Sequence, residues 1–568
     1  MNIFVHYKEV FLQCLKNIPI DKKIKNKITV EIPKNKIFGD ISFNAPLILS
    51  SILNRSSLDI AKEFKDLIIK NNNDFEKIEI AKPGFINFTF KKKTIVNFLK
   101  NIPDNFGISE NLDLKKINIE FVSANPTGPL HIGHCRGAIY GDVLCNFLKF
   151  CGHTVNKEYY INDYGNQVTL FLKSIYFRIV EILEKKKFPE NEGLYPGEYI
   201  IDIAQKILNE ANTNIFNNYD NAKSFLISKA INLAMDSIKE DLKLMGISHD
   251  TFTLESDIVK KNVLSKVIKK LEISDDIYTG ILPKPKGDID DWEPREQLLF
   301  KSKKYGDDVD RALQKSDGSW TYFANDVAYH YQKLNQKYDH YINILGADHS
   351  GYIKRLSSAV SALNNDNKKF EIKISQIVKL FKAGKPYRMS KRAGDFILAK
   401  DFVNSVGKDA VRFMMVYRSS HSPLDFDFDL VNDKSKENPI FYVQYACARL
   451  NSLFKKSNLD IDKSLKNVEL DLLNNQHELN LTKKILEWPK IINLCSTNLE
   501  VHYIPYYLYE LSSEFHSFWN AGKENDKLKI IEHPNKNISK ARLFLLQKLY
   551  IVLKTGLNIL DVNIPRKM

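Results

Sequence analysis

The alternation of apolar and polar positions predicts where the chain forms strands and helices. Ile117, Ile119 and Phe121 alternate with polar neighbours, which predicts a strand. A turn rich in Pro and Gly follows, and apolar residues then recur at helical spacing over residues 139–148, with Gly152 placed to end the helix. A parallel α/β sheet requires this strand–turn–helix order, and such sheets bind ligands at the carboxyl ends of their strands.

The same patterns divide the chain into regions. Residues 1–108 open with an amphipathic helical pattern and end in strand-like alternation. Residues 109–175 and 321–429 carry two halves of a sheet, and the residues 176–320 between them are mainly helical and charged. The pattern is helical from 430 to 568, which predicts an α-helical bundle.

Composition and charge narrow the classes of protein. Apolar residues make up 43% and charged residues 27% of the chain, as in ordinary soluble globular proteins. The 83 Lys and Arg exceed the 69 Asp and Glu by 14, an excess that favours a polyanionic partner such as nucleic acid. The alternative is that a composition rich in Lys, Asn and Ile reflects nucleotide bias in the coding genome.

Cysteine usage and hydropathy predict the compartment. The six cysteines form no CxxC pair, so we expect neither a zinc ribbon nor a disulfide framework, and a reducing environment. Lys8, Glu9 and Lys16 interrupt the N-terminal apolar pattern, which is therefore not a signal peptide. We see no apolar run near the roughly 18 residues that span a bilayer. We expect a soluble, cytoplasmic protein without a membrane segment.

The turn between the predicted strand and helix carries candidate chemistry. A helix should begin at His131-Ile-Gly-His134, and a helix N-terminus attracts anions such as phosphate. Gly133 lets a ligand approach the backbone, and His131 and His134 can donate hydrogen bonds to phosphate without a fixed charge. An alternative is that His131, His134 and Cys135 bind zinc, but the usual ligand spacing is absent.

Several motifs together resemble a known family. His131-Ile-Gly-His134 resembles the HIGH motif of class I aminoacyl-tRNA synthetases, and the segment 384–394 resembles their lysine-containing KMSKS loop, with Arg388 and Arg392 at its first and last positions. Further stretches resemble the arginyl-tRNA synthetases of this class: 38–44, 291–300, 320–326, 346–349 and 438–449. The resemblance covers nearly the whole chain.

The resemblance implies a fold and a reaction. The fold is α/β, with a Rossmann-like parallel-sheet catalytic domain, an N-terminal α+β extension that contacts tRNA, and a C-terminal all-α anticodon-binding bundle. In the reaction, the carboxylate of arginine attacks the α-phosphate of ATP to give arginyl-adenylate and pyrophosphate. The terminal ribose of tRNA then takes the arginyl group and AMP leaves. The implied partners are tRNA(Arg), L-arginine and ATP with Mg²⁺, and we expect no zinc, no organic cofactor and a monomer.

The resemblance also assigns residues to ATP. His131, His134 and Lys391 are the implied catalytic residues, because phosphoryl transfer depends on positioning and on donors to the phosphate oxygens. The implied ATP-binding residues are His131, Gly133, His134, Gly346, Asp348, Met389, Ser390 and Lys391. The HIGH region comprises Ala124, Asn125, Pro126, Thr127, Gly128, Pro129, Leu130, His131, Ile132, Gly133 and His134.

Carboxylates are the expected determinants of arginine, because a guanidinium is a planar fork of donors with permanent charge. Glu120 and Asp326 match the family's positions for guanidinium contacts, with Asp326 expected to begin a helix after Tyr322. Asn125 matches the residue that holds the α-amino and carboxyl end, Tyr322 the one along the side chain, and Ser123 and His349 further arginine-site positions. The structural alternatives are an edge-strand salt bridge for Glu120 and a helix N-cap for Asp326.

The C-terminal region holds the expected tRNA contacts. They are Tyr442, Gln444, Tyr445, Arg449 and the C-terminal Met568. Tyr445 and Arg449 lie on one helix face, where a ring can stack on a base and a guanidinium can meet phosphate. The alternative is that these aromatic residues are part of the core.

Three other classes of protein remain to be weighed. A cysteinyl synthetase would need a zinc site, and a glutamyl synthetase would need basic residues in place of Glu120 and Asp326. A non-catalytic RNA-binding paralogue should have lost its phosphate motifs, yet His131, His134 and Lys391 are present. A small class-I-like adenylyl-transferring ligase would not need the long helical region after the lysine loop.

Overall fold

Two compact units make up the structure. This computed structural model describes residues 2–15, 18, 20–108, 113–190, 193–284, 293–364, 366–387, 397–458 and 468–568. Met1–Leu112 and Asp433–Met568 form unit 1, and Asp113–Asn432 forms unit 2. The two ends of the chain therefore share one unit.

The N-terminal part of unit 1 is an antiparallel sheet with helices, as expected for an α+β extension. Its strands are β1 (Val30–Glu31), β2 (Ile41–Phe43), β3 (Phe75–Ala81) and β4 (Phe85–Phe90), in the spatial order β1-β2-β4-β3. Its helices are Ile3–Gln13, Lys22–Lys27, Ala45–Leu53, Ser57–Asn71 and Lys92–Lys100, with a 3₁₀ helix at Lys36–Phe38. Tyr7 and Phe11, one turn apart on the first helix, are fully buried, and Phe11 packs on Phe43 and Phe88 of the sheet.

The C-terminal part of unit 1 is a helical bundle, as expected. Its helices are Pro439–Lys456, Gln476–Leu486, Trp488–Asn498, Tyr503–Glu524 and Lys536–Leu560, with 3₁₀ helices at Leu470–Leu472 and Asp526–Leu528. Inside the bundle, Arg542 pairs with Glu478 at 2.7 Å, and both side chains are buried. A buried pair of this kind, with Arg542 also donating to two backbone carbonyls, ties the last helix to its neighbours.

The expectation that no stretch could span a membrane needs a correction. Helix Lys536–Leu560 is long and apolar enough by composition, with a window of mean hydropathy 1.4. The sequence reasoning looked for an uninterrupted apolar run and missed this helix because its few charged residues are spaced apart. The helix packs within the bundle and carries the buried Arg542, so we interpret it as a core helix.

The two parts of unit 1 are joined directly. The indole Nε1 of buried Trp488 donates a hydrogen bond to the Phe106 carbonyl at 3.0 Å. Lys483 pairs with Asp40 at 2.6 Å. The N-terminal extension and the bundle therefore form one body, a feature that the sequence patterns do not indicate.

The described residues of unit 2 form three sheets. Its strands are β5 (Lys116–Glu120), β6 (Thr154–Ile161), β7 (Thr251–Leu254), β8 (Ile277–Ile281), β9 (Glu296–Phe300), β10 (Arg311–Gln314), β11 (His340–Gly346), β12 (Lys369–Ser375), β13 (Val378–Lys382), β14 (Lys385–Pro386) and β15 (Leu424–Asp427). Its helices are Ile132–Phe150, Asn166–Glu184, Glu198–Glu210, Tyr219–Leu244, Glu255–Lys260, Val263–Ile273, Tyr322–Leu334, Ile353–Leu363, Ala399–Val406, Lys408–Met415 and Phe428–Asn432. The 3₁₀ helices are Thr213–Asn217, Ser302–Tyr305 and Ala347–Tyr352.

The central sheet is parallel and five-stranded, in the order β12-β11-β5-β6-β7, which confirms the predicted α/β class. The middle strand β5 is buried on both faces except at its first residue. Helix Ile132–Phe150 packs closely beside it, because a Cβ on Gly141 would come 2.4 Å from the Phe121 ring. Gly152 follows this helix with φ +95°, as expected for a C-terminal glycine.

The region 176–320 is less uniform than predicted. It contains helices, but it also contributes β7 to the central sheet and forms an antiparallel sheet of order β10-β9-β8. The boundary expected at residue 175 falls inside helix Asn166–Glu184 rather than between elements. These strands escaped prediction because short strands beside charged helices leave little periodic signal.

Candidate active site

The carboxyl end of β5 opens into a strained turn. Val122 and Ser123 have φ of +71° and +42°, a region that residues other than Gly rarely adopt. The Ser123 hydroxyl donates to Oε1 of Glu120 at 3.1 Å and accepts from the Tyr160 amide at 3.1 Å. Backbone strain of this kind clusters at functional sites, where surrounding contacts maintain it.

The loop 124–130 is held by neighbouring elements. Tyr159 donates to the Ala124 carbonyl at 2.8 Å, and Tyr199 donates to the Thr127 carbonyl at 2.9 Å. The exposed Asn125 amide donates to Oε1 of Gln167 at 2.6 Å. The loop is thus fixed from both β6 and the helices that follow it.

The HIGH segment pairs with the residues that follow the lysine loop. The Ile132 amide donates to the Ile397 carbonyl at 2.9 Å, and the Ala399 amide donates to the Leu130 carbonyl at 2.8 Å. Arg388, Met389, Ser390, Lys391 and Arg392 lie outside the described residues. The pairing nevertheless brings residues 397–399 of the same segment beside His131.

Both motif histidines cap the helix Ile132–Phe150. His131 is the N-cap, and its Nδ1 accepts from the Gly133 amide at 3.1 Å. His134 returns the contact, since its Nδ1 accepts from the His131 amide at 3.2 Å. The two rings lie 3.9 Å apart. This reciprocal arrangement satisfies helix N–H groups that would otherwise lack partners.

The caps determine which proton each ring carries. A neutral imidazole that accepts at Nδ1 carries its proton on Nε2, and both rings are therefore Nε2–H donors. Burial lowers the pKa of His134 to about 4, with a contribution from His131, and burial also lowers the pKa of His131; Asp348 opposes both shifts. The rings are neutral donors at pH 7, as the sequence reasoning predicted.

The structure requires glycine at position 133 for a reason that differs from the predicted one. A Cβ at this position would come 2.8 Å from Cε1 and 3.0 Å from Nδ1 of His131. The absence of a side chain is therefore required first by the capping ring of His131. Close approach of a ligand to the Gly133 backbone stays a prediction.

The end of β11 lies beside the end of β5, because the two strands are neighbours in the parallel sheet. Gly346 ends β11, and the exposed Asp348 and His349 follow in the 3₁₀ helix Ala347–Tyr352, with their side chains paired at 3.5 Å. A Cβ on Gly346 would come 2.5 Å from the Asp348 carboxylate. These predicted ATP and arginine residues therefore lie at the expected edge of the sheet.

Helix Tyr322–Leu334 corrects the placement of Asp326. Thr321 is its N-cap, so Tyr322 is the first helical residue and Asp326 lies in the second turn. Neither the predicted helix start nor the N-cap alternative for Asp326 is right. Tyr322 is 60% exposed and lies next to Gly165, where a Cβ would come 3.5 Å from its ring.

Asp326 carries a charge that is poorly compensated. The Tyr352 hydroxyl donates to its carboxylate. Burial and the nearby Glu120 raise the pKa of Asp326 to about 6. The Tyr352 hydrogen bond and the charge of Arg355 offset part of this rise. The Asp326 carboxylate can thus accept further hydrogen bonds, and a bound cation would stabilise its negative charge.

Glu120 is by contrast already paired. Its Oε2 accepts from Lys333 Nζ at 2.6 Å and from the Tyr329 hydroxyl at 2.8 Å, and the carboxylate is buried. Burial opposes ionisation, but Lys333 and these hydrogen bonds hold the pKa of Glu120 below its usual value. Only Oε1, which also accepts from Ser123, keeps spare acceptor capacity.

A third carboxyl group was missed by the sequence reasoning. Glu255 is buried at the start of helix Glu255–Lys260 and accepts from Asn325 Nδ2 at 2.9 Å. Burial, together with the nearby Asp326 and Asp163, raises the pKa of Glu255 to about 7, although the hydrogen bond from Asn325 opposes the rise. No motif marks Glu255, because its neighbours come from distant parts of the chain.

Lys333 was also missed, although the sequence held a signal for it. Tyr322, Asp326, Tyr329 and Lys333 recur at helical spacing and so lie along one face of the helix Tyr322–Leu334. The side chain of Lys333 is only 1% exposed.

Among the described residues, no group of three or more His, Cys, Asp or Glu side chains could hold a metal ion.

Four of the five predicted tRNA residues, Tyr442, Gln444, Tyr445 and Arg449, lie on helix Pro439–Lys456 of unit 1. Arg449 donates to the Tyr445 hydroxyl at 2.7 Å, contacts Nδ1 of His516 at 2.8 Å, and stacks on Trp519. Tyr442 packs on His516, with ring centroids 4.3 Å apart. Tyr445 and Arg449 are therefore half-buried and contact each other.

The chain end packs on the same helix. Gln444 Nε2 donates to the Asn563 carbonyl at 3.1 Å, and Asn451 Nδ2 donates to the Pro565 carbonyl at 3.2 Å. Met568 is 56% exposed beyond these contacts. Gln444 thus positions the C-terminal tail as well as being a predicted tRNA residue.

Family models match the three parts of this architecture. The arginyl tRNA synthetase N-terminal domain matches residues 6–90, and the DALR anticodon binding domain matches residues 443–568. The catalytic domain of class I (R) tRNA synthetases matches residues 102–421. The class defined by the parallel sheet and the histidine-capped helix is thus that of the class I aminoacyl-tRNA synthetases.

Relatives narrow the class to one family. The arginine–tRNA ligase of Pelagibacter ubique is 49% identical over 100% of both chains, and that of Bartonella tribocorum is 42% identical, also over 100% of both. Thermus thermophilus arginyl-tRNA synthetase has the same fold, with a TM-score of 0.75 over 99% of both chains at 19% identity. The chain belongs to the arginyl-tRNA synthetase family, which confirms the resemblance found in the sequence.

Proposed function

We propose that this protein ligates L-arginine to tRNA in two ATP-dependent steps through an arginyl-adenylate. One observation carries the proposal: neutral donors for an anion, His131 and His134, lie at the same sheet edge as the under-compensated Asp326 carboxyl group. The first step needs both, because it brings a phosphate and a guanidinium-bearing substrate together. Family membership at 49% identity over the full length supports this function.

The two histidines would act on ATP through their Nε2–H groups. Their rings are fixed by the caps, so the donors are preorganised for charge that develops on the phosphate oxygens. Loss of one such donor typically costs about 2.7–4 kcal/mol of transition-state stabilisation. On the strength of the resemblance, Lys391 is proposed to supply the cation.

Further ATP contacts are assigned by the resemblance. Gly133, Gly346, Asp348, Met389 and Ser390 are proposed to contact ATP, which enters with Mg²⁺ as its substrate complex. Asp348 is exposed at the end of β11, where it can accept from a ribose hydroxyl.

Asp326 and Glu120 would recognise the guanidinium. Asp326 has unmet demand for a cation, and Glu120 offers Oε1. Tyr322 is proposed to lie along the arginine side chain, and Asn125 to hold its α-amino and carboxyl end. Asn125 bonds Gln167, close to the Gly165 that borders Tyr322, so both residues lie near the start of helix Asn166–Glu184. Ser123 and His349 complete the proposed set.

The anticodon-binding bundle is proposed to contact tRNA through the helix Pro439–Lys456. Tyr442, Tyr445 and Arg449 form a half-buried aromatic and cationic cluster that could accept a base by stacking. Gln444 and Met568 are proposed to act through the C-terminal tail.

We further propose that the protein acts as a monomer in the cytoplasm. A molar mass of about 65.7 kDa by light scattering would support the monomer, and twice that mass would contradict it.

Citrulline tests the arginine assignment. Citrulline keeps the shape of arginine without its charge, so its use would leave the buried Asp326 carboxylate without a cation and the spare acceptor site on Glu120 Oε1 unfilled. We expect at least about 10⁴-fold discrimination in kcat/KM, measured in the presence of tRNA. Similar rates for the two amino acids would overturn the assignment of Glu120 and Asp326.

A further inference from the structure

A buried polar network lies beneath the proposed arginine pocket. Its members are Glu120 of β5, Glu158 of β6, Asn343 of β11, and Tyr329, His330 and Lys333 of helix Tyr322–Leu334; we call it the Lys333 network. Lys333 Nζ lies 2.6 Å from Glu120 Oε2 and 3.5 Å from Glu158 Oε2. One ammonium group thus serves two buried carboxylates, both less than a tenth exposed.

The network determines how the Glu120 carboxylate is oriented. Lys333 and Tyr329 both donate to Oε2, whereas Oε1 accepts from Ser123. Two donors on one oxygen and one on the other fix the plane of the carboxylate. The oxygen with spare acceptor capacity is therefore selected by Lys333 and Tyr329.

The same network reaches Asp326. Lys333 donates to Asn343 Oδ1 at 3.0 Å, and Asn343 Nδ2 donates to His330 Nε2 at 3.0 Å. His330 Nδ1 then donates to the Asp326 carbonyl at 2.8 Å. Because His330 accepts at Nε2, its ring is neutral, and a continuous hydrogen-bond chain runs from the Glu120 carboxylate to the backbone carbonyl of Asp326.

We propose that Lys333 is a positioning residue for arginine: it neutralises Oε2 of Glu120, leaves Oε1 for the substrate, and fixes the spacing between Glu120 and Asp326. This inference rests on the proposed roles of those two carboxylates. Lys333 does not contact the substrate in this account. Its removal would weaken arginine binding and leave ATP binding unchanged.

The test must remove the cation without adding buried charge. The double variant Lys333→Met with Glu158→Gln does so, because one cation and one carboxylate disappear together. We expect the KM for arginine in tRNA arginylation to rise about 10-fold or more, with the KM for ATP within about 2-fold of the wild type. Lys157→Met is the matched control: Lys157 is another buried lysine of unit 2, and its partner Asp142 keeps Arg412.

The KM values of these variants decide whether Lys333 positions the arginine-binding carboxylates. An unchanged KM for arginine in the double variant, or an equal rise of both KM values, would overturn the role of Lys333. Should the double variant not fold, Asn343→Ser cuts the chain to Asp326 while keeping both charges, and the same criterion applies. Glu120→Gln separates this inference from the proposed function: an unchanged KM for arginine there refutes the carboxylate assignment itself. A rise in Glu120→Gln without one in the Lys333 variants refutes the inference alone.

Discussion

The carboxyl groups at the end of the central sheet differ in how their charge is balanced. Glu120 has Lys333 as a partner and a lowered pKa, whereas Asp326 and Glu255 have raised pKa values of about 6 and about 7. Burial without a sufficient cation causes both rises. A bound guanidinium would remove this imbalance, so the unliganded pocket is suited to a cationic substrate.

Replacement of Asp326 tests this balance at a single residue. In Asp326→Asn the guanidinium loses an ionic partner in a buried site, which typically costs about 2 kcal/mol or more. We expect the KM for arginine to rise about 30-fold or more, with little change in the KM for ATP. Steady-state arginylation kinetics measure both. Asp317→Asn, in an exposed turn of the same unit, is the control, and equal effects of the two variants would contradict the assignment.

The raised pKa values predict a pH dependence. As pH falls, Glu255 takes up a proton around its pKa of about 7 and Asp326 around its pKa of about 6. Arginine binding, which needs Asp326 ionised, should weaken about 4-fold between pH 8 and 5.5, as measured by calorimetry. The free protein behaves oppositely, because groups with raised folded pKa values lose stabilisation as pH rises. Arginine should therefore raise Tm more at pH 8 than at pH 5.5, and a flat profile would contradict this.

Motif residues could be predicted from sequence because their roles depend on near neighbours. His131 and His134 act through amides within three positions, so the local pattern contained the whole arrangement. Lys333 and Glu120 are 213 positions apart, and their contact exists only once β5 and the helix Tyr322–Leu334 pack together. For the same reason Glu255 was missed, and Glu120 was predicted without its internal partner.

At the scale of elements, the N-terminus of helix Ile132–Phe150 is the feature that we expect to bind phosphate. Its positive partial charge favours phosphate, although its first amides are already bonded to the Ile397 carbonyl and to His131. The two imidazoles therefore offer their Nε2–H groups in place of these amides, without adding a fixed charge. The arrangement depends on Gly133, since the His131 ring occupies the space of a Cβ there.

Gly133→Ala tests whether the orientation of the His131 ring at this helix N-terminus matters for activity. The new Cβ would lie 2.8 Å from Cε1 of His131, so the ring must move and its Nε2–H loses its direction. We expect kcat for arginine activation to fall about 10²-fold or more, while the KM for arginine stays nearly constant. Gly137→Ala on the same helix is the matched control, because its Cβ would meet Ser375 at an ordinary 3.6 Å. Equal activity of both variants would refute the role of the capped histidines.

The type of each long element followed from the sequence, but some boundaries and short strands did not. The helix after β5 was predicted from apolar spacing, and Gly152 ends it as expected. Asp326 was expected to begin a helix, with the N-cap as its structural alternative, yet Thr321 provides the cap and Asp326 lies in the second turn. The strands β8–β10 escaped because their pairing, and not their own periodicity, defines them.

At the scale of the whole molecule, unit 1 is built from both ends of the chain. Trp488 from the bundle is fully buried and donates to the Phe106 carbonyl of the N-terminal part. A Cβ on Gly107 would come 2.7 Å from the Trp488 indole, so the two surfaces fit closely. The sequence indicated both parts but not their union, because nothing in either pattern encodes the partner surface.

Trp488→Ala tests this union. Loss of a buried Trp typically costs about 3–5 kcal/mol, and the cost should fall on unit 1. We expect hydrogen exchange to accelerate in residues 20–108 and 468–568 together, with protection in residues 113–190 retained. Loss of protection confined to the bundle would contradict the shared unit.

Exchange of labelled pyrophosphate into ATP, with arginine or citrulline and with or without tRNA(Arg), is the decisive test of arginine activation by this protein. We expect exchange with arginine and not with citrulline when tRNA(Arg) is present. Absence of exchange under all conditions, with tRNA still bound, or exchange supported equally by an uncharged amino acid, would contradict it.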